Sequence, residues 1–184
     1  MADVNPMSGG CGWADLVYES VIETCGYPKK IIELGCGIGS NLEKFKKSKV
    51  RVGIDPYKKN IDTAKSKGFG TMILGDHTYL SKYNRNEFDV GFTLSVIDHI
   101  EHFEIALKDM LRICKRLVLI EPMIEGVGRQ AKRKETTHWK ATWYHNYRKF
   151  LEKSKVKFSI KPKPLSKRNS GPKYHLIYIE CENF

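Results

Sequence analysis

The chain has 184 residues, a net charge of +11 and 41% hydrophobic residues. That length fits one domain, and the composition supports a folded core and excludes a disordered chain. No apolar run reaches the about 18 residues of a membrane span, no secretory signal pattern begins the chain, and the five cysteines form no C-x-x-C pair. We therefore expect a cytoplasmic protein with no membrane contact and no disulfide framework.

The positive charge is concentrated in one segment. Residues 123–173 hold 15 Lys or Arg against three Glu, a local net charge of +12. A field of this kind attracts anionic partners. A basic surface also improves solubility without binding anything, so both interpretations stay open from charge alone.

Apolar periodicity predicts alternating helices and strands. Residues 1–12 are small and polar and predict a flexible arm, and an amphipathic helix runs from Trp13 to the Gly26 and Pro28 stop signals. Strands are predicted at 30–34, 50–54, 71–74, 88–94 and 117–121, and helices at 41–48, 58–67 and 101–114, with a short, mostly irregular crossover at about 75–87. This alternation is typical of a layered α/β domain with a parallel sheet.

The last third departs from the alternation. A helical stripe is predicted over 142–152, and two β-like runs, 156–161 and 174–180, are close enough to form an antiparallel hairpin. We expect residues 13–184 to form one domain, with about 123–152 as a basic and aromatic lid over a substrate. The predicted substrate-binding residues, which combine ring stacking with anion pairing, are Arg129, His138, Trp139, Trp143 and Tyr144. The alternative is that Trp143 and Tyr147 only anchor this helix to the sheet.

A glycine-rich loop follows the first predicted strand. Gly35, Gly37 and Gly39 permit positive φ and close approach of a ligand, and the following helix offers N–H donors. The dinucleotide fingerprint G-x-G-x-x-G needs Gly or Ala at position 40, where this chain has Ser40. The next strand ends at Asp55, whose carboxylate is suited to accept hydrogen bonds from both hydroxyls of a ribose.

These features together resemble the class I S-adenosylmethionine-dependent methyltransferases, in particular the small-molecule, type 11 group with a histidine after the fourth strand. The matching segments are I-I-E-L-G-C-G-I-G-S-N-L at 31–42, G-I-D-P at 53–56, G-D at 75–76, F-D-V-G-F-T-L-S-V-I-D-H-I at 88–100 and L-V-L-I-E-P at 117–122. The resemblance covers about residues 13–122 and, more weakly, the terminal hairpin. It implies an α/β, Rossmann-like three-layer sandwich with a mostly parallel seven-stranded sheet and a C-terminal antiparallel hairpin.

The resemblance also implies S-adenosyl-L-methionine as cofactor and assigns residues to it. The glycines would pass under its methionine part near Glu33, Asp55 would bind the ribose, Asp76 the adenine amino group, and Ser95 would lie beside the sulfonium. The predicted cofactor-binding residues are Glu33, Gly35, Cys36, Gly37, Gly39, Asp55, Pro56, Asp76, His77 and Ser95. The alternatives are a purely structural turn or a nicotinamide or flavin site for the loop, a helix-capping or surface role for Asp55, and an ordinary turn at Asp76.

His99 is the candidate catalytic residue, because it follows the fourth strand and an imidazole titrates near neutral pH. As a general base it would take a proton from the acceptor, whereas the alternative is that it only caps or packs. Its spacing from His102 invites a metal interpretation, but neighbouring helical side chains point apart, and we expect no metal site.

We expect methyl transfer to oxygen or nitrogen of a small, anionic acceptor. The alternatives are an RNA methyltransferase that uses the basic C-terminal third, and a non-catalytic module that binds S-adenosylmethionine. The sequence contains neither the Asn/Asp-Pro-Pro-aromatic motif of amino-directed base methyltransferases after strand four nor a Pro-Cys nucleophile. It leaves the oligomeric state open.

Overall fold

The central element is a seven-stranded sheet. The computed structural model describes residues 11–123, 131–133, 142–163, 173–181 and 184. The sheet strands are β1 (Lys30–Leu34), β2 (Val50–Asp55), β3 (Thr71–Leu74), β4 (Phe88–Leu94), β5 (Cys114–Met123), β8 (Lys157–Pro162) and β9 (Lys173–Glu180). Their order is β3-β2-β1-β4-β5-β9-β8, with β1 to β5 parallel and β9 antiparallel to both neighbours. The predicted fold class is confirmed.

Helices cover both faces of the sheet, which gives three layers. The helices are α1 (Cys11–Cys25), α2 (Ser40–Glu43), α3 (Lys58–Ser66), α4 (Phe103–Ile113) and α5 (Tyr147–Ser154). Side chains of α1, α2 and α3 share one buried cluster, and those of α4 and α5 share the other. The third crossover, expected to be mostly irregular, contains a 3-10 helix at His77–Lys82.

Several predicted elements near the sheet have different bounds in the structure. The helix expected at 41–48 ends at Glu43, because the next N–H groups bond three residues back, from Lys44 to Asn41 and from Phe45 to Leu42. The strand expected at 117–121 extends over Cys114–Met123, because β4 and β9 both pair along it. The helix before it therefore ends at Ile113 instead of residue 114.

The helical stripe expected at 142–152 is wrong in its first part. Thr142–Tyr144 form a strand, β7, which pairs antiparallel with β6 (Ala131–Arg133) in a separate two-stranded sheet. The helix α5 begins only at Tyr147, where the side chain of Asn146 accepts the N–H of Lys149 at 3.0 Å. Trp143 consequently belongs to a strand.

The order of the strands places a crevice at one edge of the sheet. β1 lies between β2 and β4, so the connections after β1 and β4 diverge to opposite faces. In parallel α/β sheets, ligands bind where the strand order reverses, beyond the carboxyl ends of the strands. The residues at the carboxyl ends of β1, β2, β3 and β4 are therefore the candidates for binding a ligand.

Candidate active site

The loop after β1 is held by short backbone hydrogen bonds. The N–H groups of Gly35 and Cys36 both donate to the carbonyl of Ile54, at 2.7 and 3.0 Å. Gly35, Gly37 and Gly39 have φ values of 74°, 51° and 80°, a region that residues with a Cβ enter at a cost. The glycines are therefore required by the shape of this loop.

Two of these glycines also permit close packing of neighbouring elements. A Cβ on Gly35 would lie 2.2 Å from Cγ2 of Val96, in the turn after β4, and a Cβ on Gly39 would lie 3.3 Å from Cβ of Ala64 in α3. Gly35 thus brings the turn after β4 against the loop after β1. Gly39 instead brings α3 under the loop, which is a packing role.

Cys36 faces the core. Its side chain is buried and lies beneath β2, where a Cβ on Gly53 would approach its Sγ to 2.7 Å. Burial raises the pKa of its thiol well above the usual value. Only the backbone of Cys36 is therefore available to a ligand in the crevice.

Glu33 presents a buried carboxylate oxygen without a partner. The side chain is fully buried, its Oε1 accepts the Nδ2 hydrogen of Asn41 at 2.6 Å, and its Oε2 has no hydrogen-bond partner among the described residues. Burial, together with the charge of Asp55, raises the pKa of Glu33 to about 8 despite the bond from Asn41. A buried polar atom without a partner is costly, so this oxygen is suited to a ligand that brings a positive charge or a donor.

Asp55 joins β2 to the glycine loop. Its carboxylate is 5% exposed; Oδ2 accepts the N–H of Gly37 at 2.9 Å, and Oδ1 accepts from the Tyr57 N–H at 2.9 Å and from Asn60 Nδ2 at 3.1 Å. Burial raises its pKa, and these three bonds oppose that rise. A carboxylate has about four acceptor positions, so one position on Oδ2 remains for a ligand.

The edge beyond β2 and β3 carries exposed apolar side chains that sequence reasoning missed. Tyr57 is 47% exposed and Leu74 is 50% exposed. Asp76 caps the 3-10 helix by accepting the N–H and the hydroxyl of Thr78 at 2.9 and 2.6 Å, and these bonds lower its pKa. Both hydrogen bonds end on Oδ1 of Asp76, which leaves its Oδ2 for another donor.

The other predicted residues of this edge make fewer contacts. Pro56 is exposed, and His77 is half-buried at the first position of the 3-10 helix. No hydrogen bond involving the side chain of either residue is seen within the described part of the chain.

Ser95 directly follows β4 and has a backbone conformation that is unusual for a serine. Its φ is 51°, a value that residues other than glycine rarely adopt and that is concentrated at functional sites. Its Oγ lies 3.1 Å from the hydroxyl of Tyr174 and 3.5 Å from Oδ1 of Asp98. Tyr174 in turn meets Trp13 edge to face, with ring centroids 5.7 Å apart. This aromatic pair beside Ser95 was not predicted.

His99 lies in the turn after β4, beside a buried carboxylate. Its side chain is 15% exposed, and its Nε2 lies 3.7 Å from Oδ1 of Asp98. The polar pair of Thr93 in β4 and Glu121 in β5 was missed by sequence reasoning. The Thr93 hydroxyl donates to Oε1 of Glu121 at 2.7 Å.

Only two of the five predicted substrate-binding residues, Trp143 and Tyr144, are among the described residues. Trp143 and Tyr144 are half-buried in β7, which lies against the turn Ile97–His99. Next to them, Nε2 of His145 is 3.0 Å from the carbonyl of Ile97, and burial lowers the pKa of His145 to about 4. Arg129, His138 and Trp139 lie outside the described residues, as does the 1–10 part of the predicted arm.

The described residues contain neither a metal-binding cluster nor a membrane-spanning helix. No group of three or more His, Cys, Asp or Glu side chains there is arranged to hold a metal ion. No helix in that part of the chain has the length and apolar character needed to span a membrane.

A family model supports the interpretation of this crevice. The model of the methyltransferase domain called Methyltransf_11 matches residues 32–119, which run from β1 through the glycine loop to β5. No curated protein sequence matches the chain significantly.

Solved structures show the same fold at low sequence identity. An S-adenosylmethionine-dependent methyltransferase from Mesorhizobium loti is 15% identical with a TM-score of 0.72, covering 95% of this chain and 99% of its own. The 1,6-didemethyltoxoflavin-N1-methyltransferase of Burkholderia thailandensis, solved with 1,6-didemethyltoxoflavin and S-adenosylhomocysteine, is 12% identical with a TM-score of 0.74, covering 96% of this chain and 80% of its own. The N-terminal domain of EvdMO1, solved with S-adenosylhomocysteine and D-fucose, is 13% identical with a TM-score of 0.68, covering 93% and 83%.

Proposed function

The chain belongs to the class I S-adenosylmethionine-dependent methyltransferases, and we propose that it methylates an oxygen or nitrogen atom of a small, anionic acceptor. The observation that carries the proposal is the buried Oε2 of Glu33, which has no partner among the described residues. Glu33 lies one residue before the end of β1, and from there this oxygen would accept the cofactor's ammonium group.

The residues of the crevice fit the cofactor in three parts. Glu33 would hold the ammonium, the free position on Asp55 Oδ2 one ribose hydroxyl, and Oδ2 of Asp76 the adenine amino group. Tyr57 and Leu74, both half exposed at this edge, would cover the faces of the adenine. When bound, S-adenosylmethionine supplies a methyl group that departs from a positively charged sulfur, which keeps the bonding electron pair.

The role of Asp55 differs from the sequence expectation. Because three protein donors already use its oxygens, we propose that it binds one ribose hydroxyl instead of two. Its remaining function is to fix the glycine loop through Gly37.

His99 is proposed to act as general base. An acceptor hydroxyl or ammonium must lose a proton when it is methylated, and a positioned base contributes about 10²- to 10⁴-fold to such a step. His99 is partly exposed and lies beside Asp98. Ser95, with its strained backbone, would line the space next to the cofactor's sulfur.

The proposal that the acceptor is anionic is based on the positive charge of the basic segment, residues 123–173. Exposed cations of α5 and β8 that the structure describes include Arg148, Lys149, Lys153, Lys157 and Lys161. Small acceptors are supported by the toxoflavin precursor and D-fucose in the similar structures. The lid over the acceptor is proposed to be the 123–152 segment, because β7 lies against the His99 turn.

Calorimetry with S-adenosylhomocysteine tests the cofactor assignment. We expect micromolar or tighter binding to the wild-type chain and loss of binding in Glu33→Ala. The matched control is Asp62→Ala, which removes an exposed carboxylate paired with Lys58 in α3 and should bind normally. Absence of binding to the wild-type chain would overturn the proposal.

An RNA acceptor is the second candidate, favoured by the same exposed cations. It requires binding of a polynucleotide such as poly(U) with an affinity that falls steeply as salt rises. Negligible binding at low ionic strength would eliminate RNA and leave the small acceptor.

A further inference from the structure

His145 connects the proposed lid to the segment that carries His99, and neither cofactor binding nor proton removal as proposed above uses it. It lies between β7 and α5 and is 5% exposed. Its Nε2 is 3.0 Å from the carbonyl oxygen of Ile97, the residue that begins the 3-10 turn after β4. Its ring stacks on Phe103, the first residue of α4, with centroids 4.2 Å apart and planes at 21°. One side chain therefore contacts both ends of the segment 97–103.

The hydrogen bond fixes the tautomer of His145. A carbonyl oxygen only accepts, so Nε2 carries the hydrogen and Nδ1 carries the lone pair. Nδ1 is buried and has no hydrogen-bond partner among the described residues. A proton there would add a buried charge, and burial accordingly lowers the pKa of His145 to about 4, although the bond to Ile97 and the charge of Glu104 oppose that fall. The ring therefore stays a neutral donor to Ile97 at neutral pH.

The Ile97 carbonyl also belongs to the backbone of the turn. It accepts the N–H of Ile100 at 3.0 Å, and the N–H of His99 donates to the carbonyl of Val96 at 3.0 Å. A carbonyl oxygen has two acceptor positions, so the bonds from Ile100 and His145 fill both. His145 thus holds the same backbone that carries the His99 side chain.

The chain on either side of His145 is fixed as well. The next residue, Asn146, caps α5, and the ring of Tyr147 in α5 meets His145 edge to face, with centroids 5.8 Å apart. The two preceding residues, Trp143 and Tyr144, belong to β7 and are the described members of the proposed acceptor site. A displacement of His145 would therefore move the acceptor-binding strand relative to the turn after β4.

We propose that His145 is a positioning residue for methyl transfer: its hydrogen bond to Ile97 and its stacking on Phe103 hold β7 at a fixed distance and angle from His99. An acceptor bound on β7 then presents its hydroxyl or amine to His99 with no further movement of the chain. In the reaction itself the acceptor atom bonds to the methyl carbon, the sulfur keeps the electron pair of the broken bond, and the acceptor's proton goes to His99. A misplacement of about 1 Å at such a centre can cost about 10²-fold in rate.

The inference rests on the proposed function, since it takes β7 as part of the acceptor site and His99 as the base. Two substitutions separate the two contacts that His145 makes. His145→Phe keeps a ring to stack on Phe103 but has no donor, whereas His145→Gln places an amide N–H close to the position of Nε2. The matched control is His102→Phe, because His102 is exposed, precedes α4 and makes no side-chain cap.

Amide hydrogen exchange of the unliganded chain, followed by NMR, tests the contact to the turn. Relative to amides of β1, which report on global unfolding, we expect the amides of His99 and Ile100 to exchange about two- to tenfold faster in His145→Phe, as loss of one buried hydrogen bond implies. His145→Gln should restore slow exchange, and His102→Phe should not change it. Equal exchange in the wild-type chain and His145→Phe would overturn the proposal.

Spectra of the histidine ring nitrogens test the tautomer. From about pH 5.5 to about 8 we expect one neutral ring with its hydrogen on Nε2, identified as His145 by its absence in His145→Gln. A His145 ring that carries its hydrogen on Nδ1, or that becomes charged near its ordinary pKa, would contradict the bond to Ile97.

Steady-state kinetics test the consequence for methyl transfer. The donor is tritiated S-adenosylmethionine, and the acceptor probe is 4-hydroxyphenylacetate, which carries a hydroxyl and a separate carboxylate. We expect His145→Phe to lower kcat by about 10- to 100-fold with an unchanged KM for S-adenosylmethionine, and His145→Gln to recover most of the loss. His102→Phe should keep the wild-type kcat. A folded His145→Phe chain with the wild-type kcat overturns the proposal, as does a loss that His145→Gln does not reduce.

S-adenosylhomocysteine binding separates this inference from the proposed function. All three variants should bind it as the wild-type chain does, because neither substituted residue lies at the ends of β1, β2 or β3. If the wild-type chain itself fails to bind, the proposed function fails, and hydrogen exchange still decides whether His145 holds the turn.

Discussion

Asp55 Oδ2 accepts the backbone N–H of Gly37 at 2.9 Å, so the residue that ends β2 sets the shape of the loop that follows β1. The same carboxylate caps the start of the next connection through the Tyr57 N–H and Asn60. One side chain therefore organises both edges of the crevice before any ligand arrives. Preorganisation of this kind lowers the entropy that binding must overcome.

Replacing Asp55 should weaken both folding and ligand binding. In Asp55→Ala three partly buried donors lose their acceptor, which should lower the free energy of unfolding by about 1–3 kcal/mol. The affinity for S-adenosylhomocysteine should fall by at least about tenfold, since a hydroxyl partner is lost as well. Urea unfolding and calorimetry measure the two effects. Unchanged affinity in a folded variant would remove Asp55 from the site.

Gly35 and Gly26 form a natural comparison of two glycines with nearly equal φ, 74° and 70°. Alanine at Gly26 would meet open space, whereas alanine at Gly35 would collide with Val96. We expect Gly26→Ala to cost about 1–2 kcal/mol, the usual penalty of the left-handed region, and Gly35→Ala to cost more and to reduce binding of S-adenosylhomocysteine. Adding Val96→Ala should recover part of the stability lost in Gly35→Ala. Equal costs at the two glycines would contradict the tight contact.

Glu33 should make the chain less stable as pH rises from about 4.5 to about 8. The folded protein keeps this carboxyl protonated up to its pKa of about 8, whereas the unfolded chain ionises it above its ordinary value of 4.5. Folding then takes up a proton, so the free energy of unfolding falls through this window and levels off above it. The free energy of unfolding of the wild-type chain minus that of Glu33→Gln, measured by urea unfolding at several pH values, should fall by a few kcal/mol across this window. A difference that stays constant with pH would contradict the raised pKa.

Cofactor binding should release a proton from the same group. An ammonium beside Oε2 favours the carboxylate form, so the pKa of Glu33 falls when the ligand binds. At pH 7 we expect S-adenosylhomocysteine to release up to one proton from the wild-type chain and less from Glu33→Gln. Calorimetry in two buffers of different ionisation enthalpy counts these protons. Equal release by the two chains would place the ammonium elsewhere.

The apolar pattern of the sequence predicted those strand bounds that depend on neighbouring residues in the chain. The bounds of β1, β3 and β4 were predicted correctly because apolar runs there end at glycine or polar residues. Trp143 was misplaced because its spacing of four from Tyr147 also fits a helix. Trp143 lies in β7, which pairs with residues 131–133. Periodicity along the sequence cannot predict such a pairing between separate segments.

Some carboxylates of this region were predicted from the sequence and others were not. Glu33 and Asp55 were predicted as site residues because they border the glycine loop in a recognisable order, and the structure places them near the ends of β1 and β2. The burial of Glu121 was not predicted because its hydrogen-bond partners, Thr93 and Val96, are 28 and 25 residues away in the chain. A signal was present, since a glutamate that directly follows the apolar run Leu117–Ile120 needs a polar partner if it is buried.

The most direct test of the account is a crystal structure of the chain with S-adenosylhomocysteine. We predict the ligand's ammonium against Glu33 Oε2 and one ribose hydroxyl on Asp55 Oδ2, with the sulfur facing Ser95. A ligand bound away from the ends of β1 and β2, or a Glu33 Oε2 that remains without a partner beside it, would contradict the assignment of this crevice.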